Sequence, residues 1–186
     1  MEDSRIVDLY WQRDEGAISA TAEKYGKYCN HIAYNILYSS EDAEECVNDT
    51  WLRAWNAIPP QRPAQLSTYL GKITRNLALN RHKGASAKKR GGGQVDAALA
   101  ELEDCISSRG QVEDFIDEEI LTEVINGFLR DLPKVNRVIF VKRYWYLMPV
   151  KEIAAELSLR ENRVATMLFR MRKDLKARLE KEDIPL

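Results

Sequence analysis

From Thr50 to Val95 the chain contains no aspartate and no glutamate, although 29 of its 186 residues are acidic. That gap excludes an evenly mixed charged surface. Cysteine is scarce: Cys29, Cys46 and Cys105 are far apart, odd in number, and form no C-x-x-C. Such a set excludes a disulfide framework and a thiolate zinc site. The two histidines, His31 and His82, have no ligand neighbour at structural spacing. Cys29 and His31 lie two apart, so on a helix they point in different directions. No metal and no cofactor is expected. No apolar run reaches the ~18 residues of a membrane span, and the acidic, mixed start is unlike a signal peptide. The expectation is a cytoplasmic protein in a reducing compartment, with no membrane insertion. G-x-x-x-x-G-K-[ST], G-x-G-x-x-G and the nucleophile elbow are all missing, so an enzyme is not expected. Gly91-Gly92-Gly93 follows a lysine-arginine cluster but does not sit between a strand and a helix. Strand-type alternation is lacking too, which leaves an all-α class.

The charges that are present are partitioned. The formal net charge is −1, from 28 Lys+Arg against 29 Asp+Glu. Residues 1–49 hold 4 basic and 11 acidic side chains, and residues 50–95 hold 9 basic and none acidic. Residues 96–133 hold 2 basic and 11 acidic, and residues 134–186 hold 13 basic and 7 acidic. Screening over ~8–10 Å leaves such blocks as separate local potentials. The near-zero total is a cancellation, not a weak field.

Helical periodicity fills most blocks. In residues 42–58, Ala43, Cys46, Val47, Thr50, Trp51, Ala54 and Ile58 recur at helical spacing. Pro59 and Pro60 stop that helix, and Pro63 is placed to open the next one. Leu66, Tyr69, Leu70, Ile73 and Leu77 make the apolar stripe of that second helix. Lys72, Arg75, Asn76, Asn80 and Lys83 fall on its other side. Trp51 and Tyr69 fall on the apolar stripes and read as core. The pattern then decays. The expected domains are a helical 1–84, a flexible acidic linker 85–117 holding at most one short helix on Val95, Ala98, Leu99 and Leu102, and a helical 118–186.

Residues 150–171 carry the sharpest pattern. Ile153, Ala154 and Leu157 lie in a short helix, Leu159 follows a tight turn, and Val164 and Leu168 lie in a long helix. This is a helix-turn-helix, with a small residue where the helices cross. Arg160, Asn162 and Arg163 crowd the start of its second helix. Arg170, Arg172, Lys173, Lys176 and Arg178 follow and suit phosphate contacts. Ser158-Leu159-Arg160-Glu161 also fits a capping box, which leaves the start of that helix open.

These residues resemble a known family. Residues 42–55, DAEECVNDTWLRAW, look like the core-polymerase-binding helix of bacterial sigma factors of the extracytoplasmic-function type. Residues 69–80, YLGKITRNLALN, resemble the helix that in the family contacts the −10 promoter element. Leu132-Pro133, Arg143-Tyr144, residues 149–154 (PVKEIA) and residues 170–175 (RMRKDL) are similar to the domain that reads the −35 element. The resemblance implies that Glu45, Asn48, Asp49 and Leu52 bind core RNA polymerase. It implies that the proline loop, residues 59–65, captures a flipped −10 base, while Lys72, Arg75, Asn76, Asn80 and Lys83 hold the single strand. It assigns the −35 duplex to the helix-turn-helix. Where the family often has Lys-Ser-Arg after Val164, this chain has Ala165-Thr166-Met167, so the expected −35 contacts shift to Arg160, Asn162, Arg163, Arg170 and Lys173. The implied partners are core RNA polymerase and promoter DNA, with an anti-sigma factor left open. The alternatives are a free-standing helix-turn-helix regulator and a nucleic-acid enzyme using His82.

Overall fold

A computed structural model describes residues 1–86, 93–106 and 118–181. The lysine-arginine cluster at 88–90, the glycines Gly91 and Gly92, and residues 107–117 of the acidic stretch lie outside the described residues. All regular structure among the described residues is helical: α1 (Asp3–Trp11), α2 (Gly16–Leu37), α3 (Ser40–Ala57), α4 (Leu66–Ser86), α5 (Gln94–Ile106), α6 (Glu118–Asp131), α7 (Lys134–Tyr144), α8 (Val150–Glu156) and α9 (Glu161–Lys181). The chain forms two compact units, Met1–Gly91 and Gly92–Leu186.

In the first unit α2, α3 and α4 pack on one another, and α1 lies on α2. The core takes Cys29, Ile32 and Ile36 from α2, Cys46 and Ala54 from α3, and Leu66, Leu70 and Ala78 from α4, each fully buried. Polar atoms inside are matched. Thr50 Oγ1 donates to the Cys46 carbonyl at 2.9 Å and meets Thr74 Oγ1 at 3.1 Å, where α3 touches α4. Tyr10 is fully buried, and its hydroxyl is 2.9 Å from Thr21 Oγ1. An unmatched hydroxyl there would cost ~1–3 kcal/mol. Burial pushes the Cys29 and Cys46 thiols up to about 11.

Helix ends follow local chemistry. Ser39 caps α3, its hydroxyl accepting from the Asp42 amide at 3.2 Å, with Glu41 and Asp42 in the first turn. Those carboxylates suit the positive end of a helix dipole. The α3 ladder ends at Ile58, before two prolines reached through cis peptide bonds. Pro63 does not open α4, which starts three residues later at Leu66. Leu66 is the first residue of the stripe to reach the core, so burial sets the boundary and the proline stays in the loop.

The second unit is built around α9, whose inner stripe Val164, Leu168, Met171, Leu175 and Leu179 is at most 2% exposed. Each such side chain gains roughly 1.5–3 kcal/mol from burial. Phe128 of α6, Ile139 and Phe140 of α7, and Ile153 and Ala154 of α8 complete the core. Phe128 and Phe140 pack edge to face at 5.5 Å between centroids.

The expected linker is altered here. Residues 94–106 of it form α5, which packs on α7 and α9 within the second unit. Val95, Ala98 and Cys105 bury an apolar face. Glu101 anchors it: its carboxylate accepts from Arg143 at 2.8 Å, from Arg172 at 3.0 Å and from the Tyr144 hydroxyl at 3.0 Å. Arg143 is 2% exposed and also donates to the Met148 carbonyl. Burial raises the Glu101 carboxyl, but Arg143, Tyr144 and Arg172 outweigh it and hold the group below its ordinary value.

Candidate nucleic-acid and polymerase interfaces

Three surfaces carry the expected residues, two on the first unit and one on the second. On α3, Glu45 and Asn48 are exposed, Asp49 is half-buried and Leu52 is 57% exposed. Leu52 stands as a large exposed apolar side chain beside those polar groups. The acids are already engaged, however. Arg81 of α4 donates to Glu45 at 2.8 Å and to Asp49 at 2.5 Å. These hydrogen bonds raise the guanidinium above its ordinary value. The sequence showed the acidic face but not its internal counter-charge, because Arg81 lies 36 residues from Glu45 and only the α3–α4 packing joins them.

The second surface is a cleft of about 590 Å³ between α3, the proline loop and α4. Arg53, Asn56 and Ala57 line it from α3, Gln61 from the loop, and Tyr69, Lys72, Ile73 and Asn76 from α4. Of the five residues expected to hold single-stranded DNA, Lys72 and Asn76 line the cleft, and exposed Asn80 and Lys83 continue along α4 at helical spacing. Arg75 does not join them. It is half-buried, and burial lowers its guanidinium below the ordinary value. Tyr69 is not core as its stripe position suggested. It is half-buried, lines the cleft, and donates to Gln61 Oε1 at 2.7 Å. Trp51 is core, at 7% exposure. Arg53 and Asn56 were passed over by sequence reasoning; their i, i+3 spacing on α3 was the available signal.

The loop is braced from α1 and the turn after it. Arg62 pairs with Asp8 and sits over the Trp11 ring at 5.6 Å. Arg13 donates to the Trp55 carbonyl at 2.6 Å and lies over that indole at 5.3 Å. Arg62 thus ties the loop to α1, while Arg13 holds the last turn of α3 from the turn after α1.

The third surface is the helix-turn-helix. Ala154 is 2% exposed where α8 meets α9. The turn closes by Leu159 N–H to the Ala154 carbonyl at 2.9 Å and Ser158 N–H to the Ala155 carbonyl at 3.2 Å. Ser158 adopts φ 53°, the left-handed conformation that favours glycine. It therefore ends α8 and does not cap α9. The Arg160 carbonyl accepts the first amides of α9, from Arg163 and Val164. Arg160, Asn162, Arg163, Arg170 and Lys173 are all exposed. Arg172 and Arg178, which also suited phosphate contacts, are committed elsewhere, to Glu101 and Asp131.

The family description Sigma-70 region 2 matches residues 22–88, which take in most of α2 and all of α3, the cleft and α4. Sigma-70, region 4 matches residues 123–175, which take in the helix-turn-helix. The chain belongs to the sigma-70 family. The region 4 form that it matches is typical of sigma factors of the extracytoplasmic-function type. A sigma factor recognises promoters, and the family implies binding to core RNA polymerase. Its regions are those of a transcription-initiation factor. Among the described residues no helix is long and apolar enough to cross a membrane. No curated protein matches the chain.

Proposed function

We propose that this sigma factor divides promoter opening among its three surfaces. Leu52, with Glu45, Asn48 and Asp49, docks on core RNA polymerase. The cleft takes a base extruded from the −10 element, and Lys72, Asn76, Asn80 and Lys83 hold the strand beyond it. Extrusion costs a few kcal/mol of unstacking, which polar contacts and stacking in a shaped pocket offset. Arg160, Asn162 and Arg163 reach base edges of the −35 duplex, and Arg170 and Lys173 hold phosphates. The chemistry of RNA synthesis belongs to the polymerase.

The observation that carries this reading is the cleft at Lys72 and Asn76, in a chain that also presents an exposed basic helix-turn-helix. A free-standing regulator would need the second feature only. Run-off transcription with purified core polymerase on the chain's own upstream region tests it. A start site that depends on added protein is expected, and it is lost on Asn76→Ala with Lys72→Ala. Absence of any protein-dependent product would overturn it, as would tight duplex binding that is indifferent to polymerase.

A further inference from the structure

The proline loop has no core of its own. Ile58 and Leu66 are fully buried and anchor its two ends. None of the seven residues between them, 59–65, is buried, and three are prolines without an amide hydrogen to give. Polar tethers therefore set where the loop sits. Its neighbours Gln61 and Arg62 face opposite ways. Gln61 lines the cleft and accepts from the Tyr69 hydroxyl at 2.7 Å. Arg62 turns to α1, where it pairs with Asp8 and its guanidinium carbon lies 5.6 Å from the centroid of the Trp11 ring. Trp11 is 42% exposed, so the core does not account for it.

The exit of the loop meets α1 as well. Asp3 accepts from Lys24 Nζ at 2.6 Å and from the Tyr25 hydroxyl at 2.5 Å. Burial raises the Asp3 carboxyl, but Lys24, Tyr25 and the backbone amide of Leu66 outweigh it and hold the group below its ordinary value. Leu66 opens α4, so α1 touches the loop at its middle and at its end. Both side chains of the Asp8–Arg62 pair are about half exposed, and a pair of that kind adds little to stability. Its geometric effect is larger. Successive Cα atoms are about 3.8 Å apart along the chain, so a shift of Arg62 passes directly to Gln61.

We propose that α1 positions the proline loop for base capture, with Asp8 and Trp11 acting through Arg62 on the Gln61 wall of the cleft. This rests on the reading of the cleft as the −10 base pocket. Asp8 and Trp11 are positioning residues, which act without touching the strand. A pocket for one extruded base discriminates by shape and hydrogen bonding, and misplacing a positioned group by about 1 Å can cost on the order of a hundredfold. The helix α1 thus governs how well the captured base is told from the others, separately from whether the unit folds.

The test uses holoenzyme, assembled from core polymerase and the full chain, on fork promoter fragments whose −10 strand is already single. Each of the four bases is placed at each −10 position in turn, and affinity is measured. Wild type is expected to prefer one base at one position by about tenfold or more. Asp8→Asn with Trp11→Ala is expected to cut that preference about fivefold. Its affinity for core polymerase and its urea midpoint are expected to stay near wild type. Trp11→Phe, which keeps an aromatic face for Arg62, is expected to retain most of the preference. Asp8→Arg with Arg62→Asp, which restores the pair with its charges exchanged, is expected to retain part of it. Full discrimination in Asp8→Asn with Trp11→Ala would overturn the proposal and leave the reading of the cleft standing. A preference that falls only in step with core affinity or the urea midpoint would also overturn it, because the role is then structural. If wild type shows no base preference at any −10 position, the cleft is not the base pocket, and both readings fall.

Discussion

Ser158 shows how one residue can mislead a sequence reading. Its hydroxyl and the glutamate three residues on suggest a cap, yet the backbone places it in the left-handed region at φ 53°. A serine there carries roughly 1 kcal/mol of strain, part of which glycine returns as unfolded-state entropy. Ser158→Gly is expected to stabilise the second unit by about 0.5 kcal/mol, read from amide-exchange protection in α8 and α9. Glu101 was equally hard to see. Nothing local marks it as the partner of residues 42, 43 and 71 positions away. Glu101→Ala would leave Arg143 buried without its carboxylate, at a cost of about 3 kcal/mol to the second unit, seen as lost exchange protection in α7 and α9. The depressed Glu101 carboxyl fixes the pH sense. Its contribution is present above the unfolded value near 4.3, and is lost as pH falls through the lower folded value. Glu101→Gln is expected to flatten that acid limb.

At the scale of elements, periodicity located α3, α4, α8 and α9, whose apolar stripes at 3.6-residue spacing end largely in the core, whereas α7 buries Ile139 and Phe140 but leaves Val135 exposed. What periodicity could not supply was which polar faces meet. The cleft was legible from α4 alone as Lys72 and Asn76, but its opposite wall, Arg53 and Asn56, exists only once α3 and α4 are packed. On its other side α4 packs closely on α2 at Gly71, where an added Cβ would lie 2.4 Å from the Tyr28 hydroxyl oxygen. Gly71→Ala is expected to destabilise the first unit by about 1–2 kcal/mol through overpacking, measured as a lower urea midpoint. Tyr28→Phe in the same chain is expected to return part of the loss. The short helix expected on Val95, Ala98, Leu99 and Leu102 is α5, but its docking was not legible, for a related reason. Its small apolar residues and acidic surface resemble a linker until Arg143 and Arg172 are seen to meet it.

Over the whole molecule, the alternation of charge blocks was legible early, and with the family resemblance it points to DNA and polymerase. Its count of available cations was too generous. Arg172 and Arg178 are paired within the fold, while Arg170 and Lys173 are exposed. Salt dependence separates the two groups. Lys173→Ala is expected to reduce the slope of log affinity against log salt by about 0.9, one phosphate contact. Arg172→Ala is expected to leave that slope unchanged while lowering the stability of the second unit. A titration of holoenzyme on promoter DNA across salt concentrations reads both.

Arg81 has a consequence of a different kind. It pairs with Glu45 and Asp49, two of the groups proposed to face polymerase. A polymerase cation that takes those carboxylates sets Arg81 loose on α4, the helix assigned to the DNA strand. One guanidinium is then shared between two equilibria. Whatever free energy DNA gains from a liberated Arg81, polymerase must gain equally when DNA is already bound, since coupling between two ligands is reciprocal. The sigma factor alone would be a poor ligand for the melted strand and a better one on the enzyme, so that commitment to a promoter follows assembly.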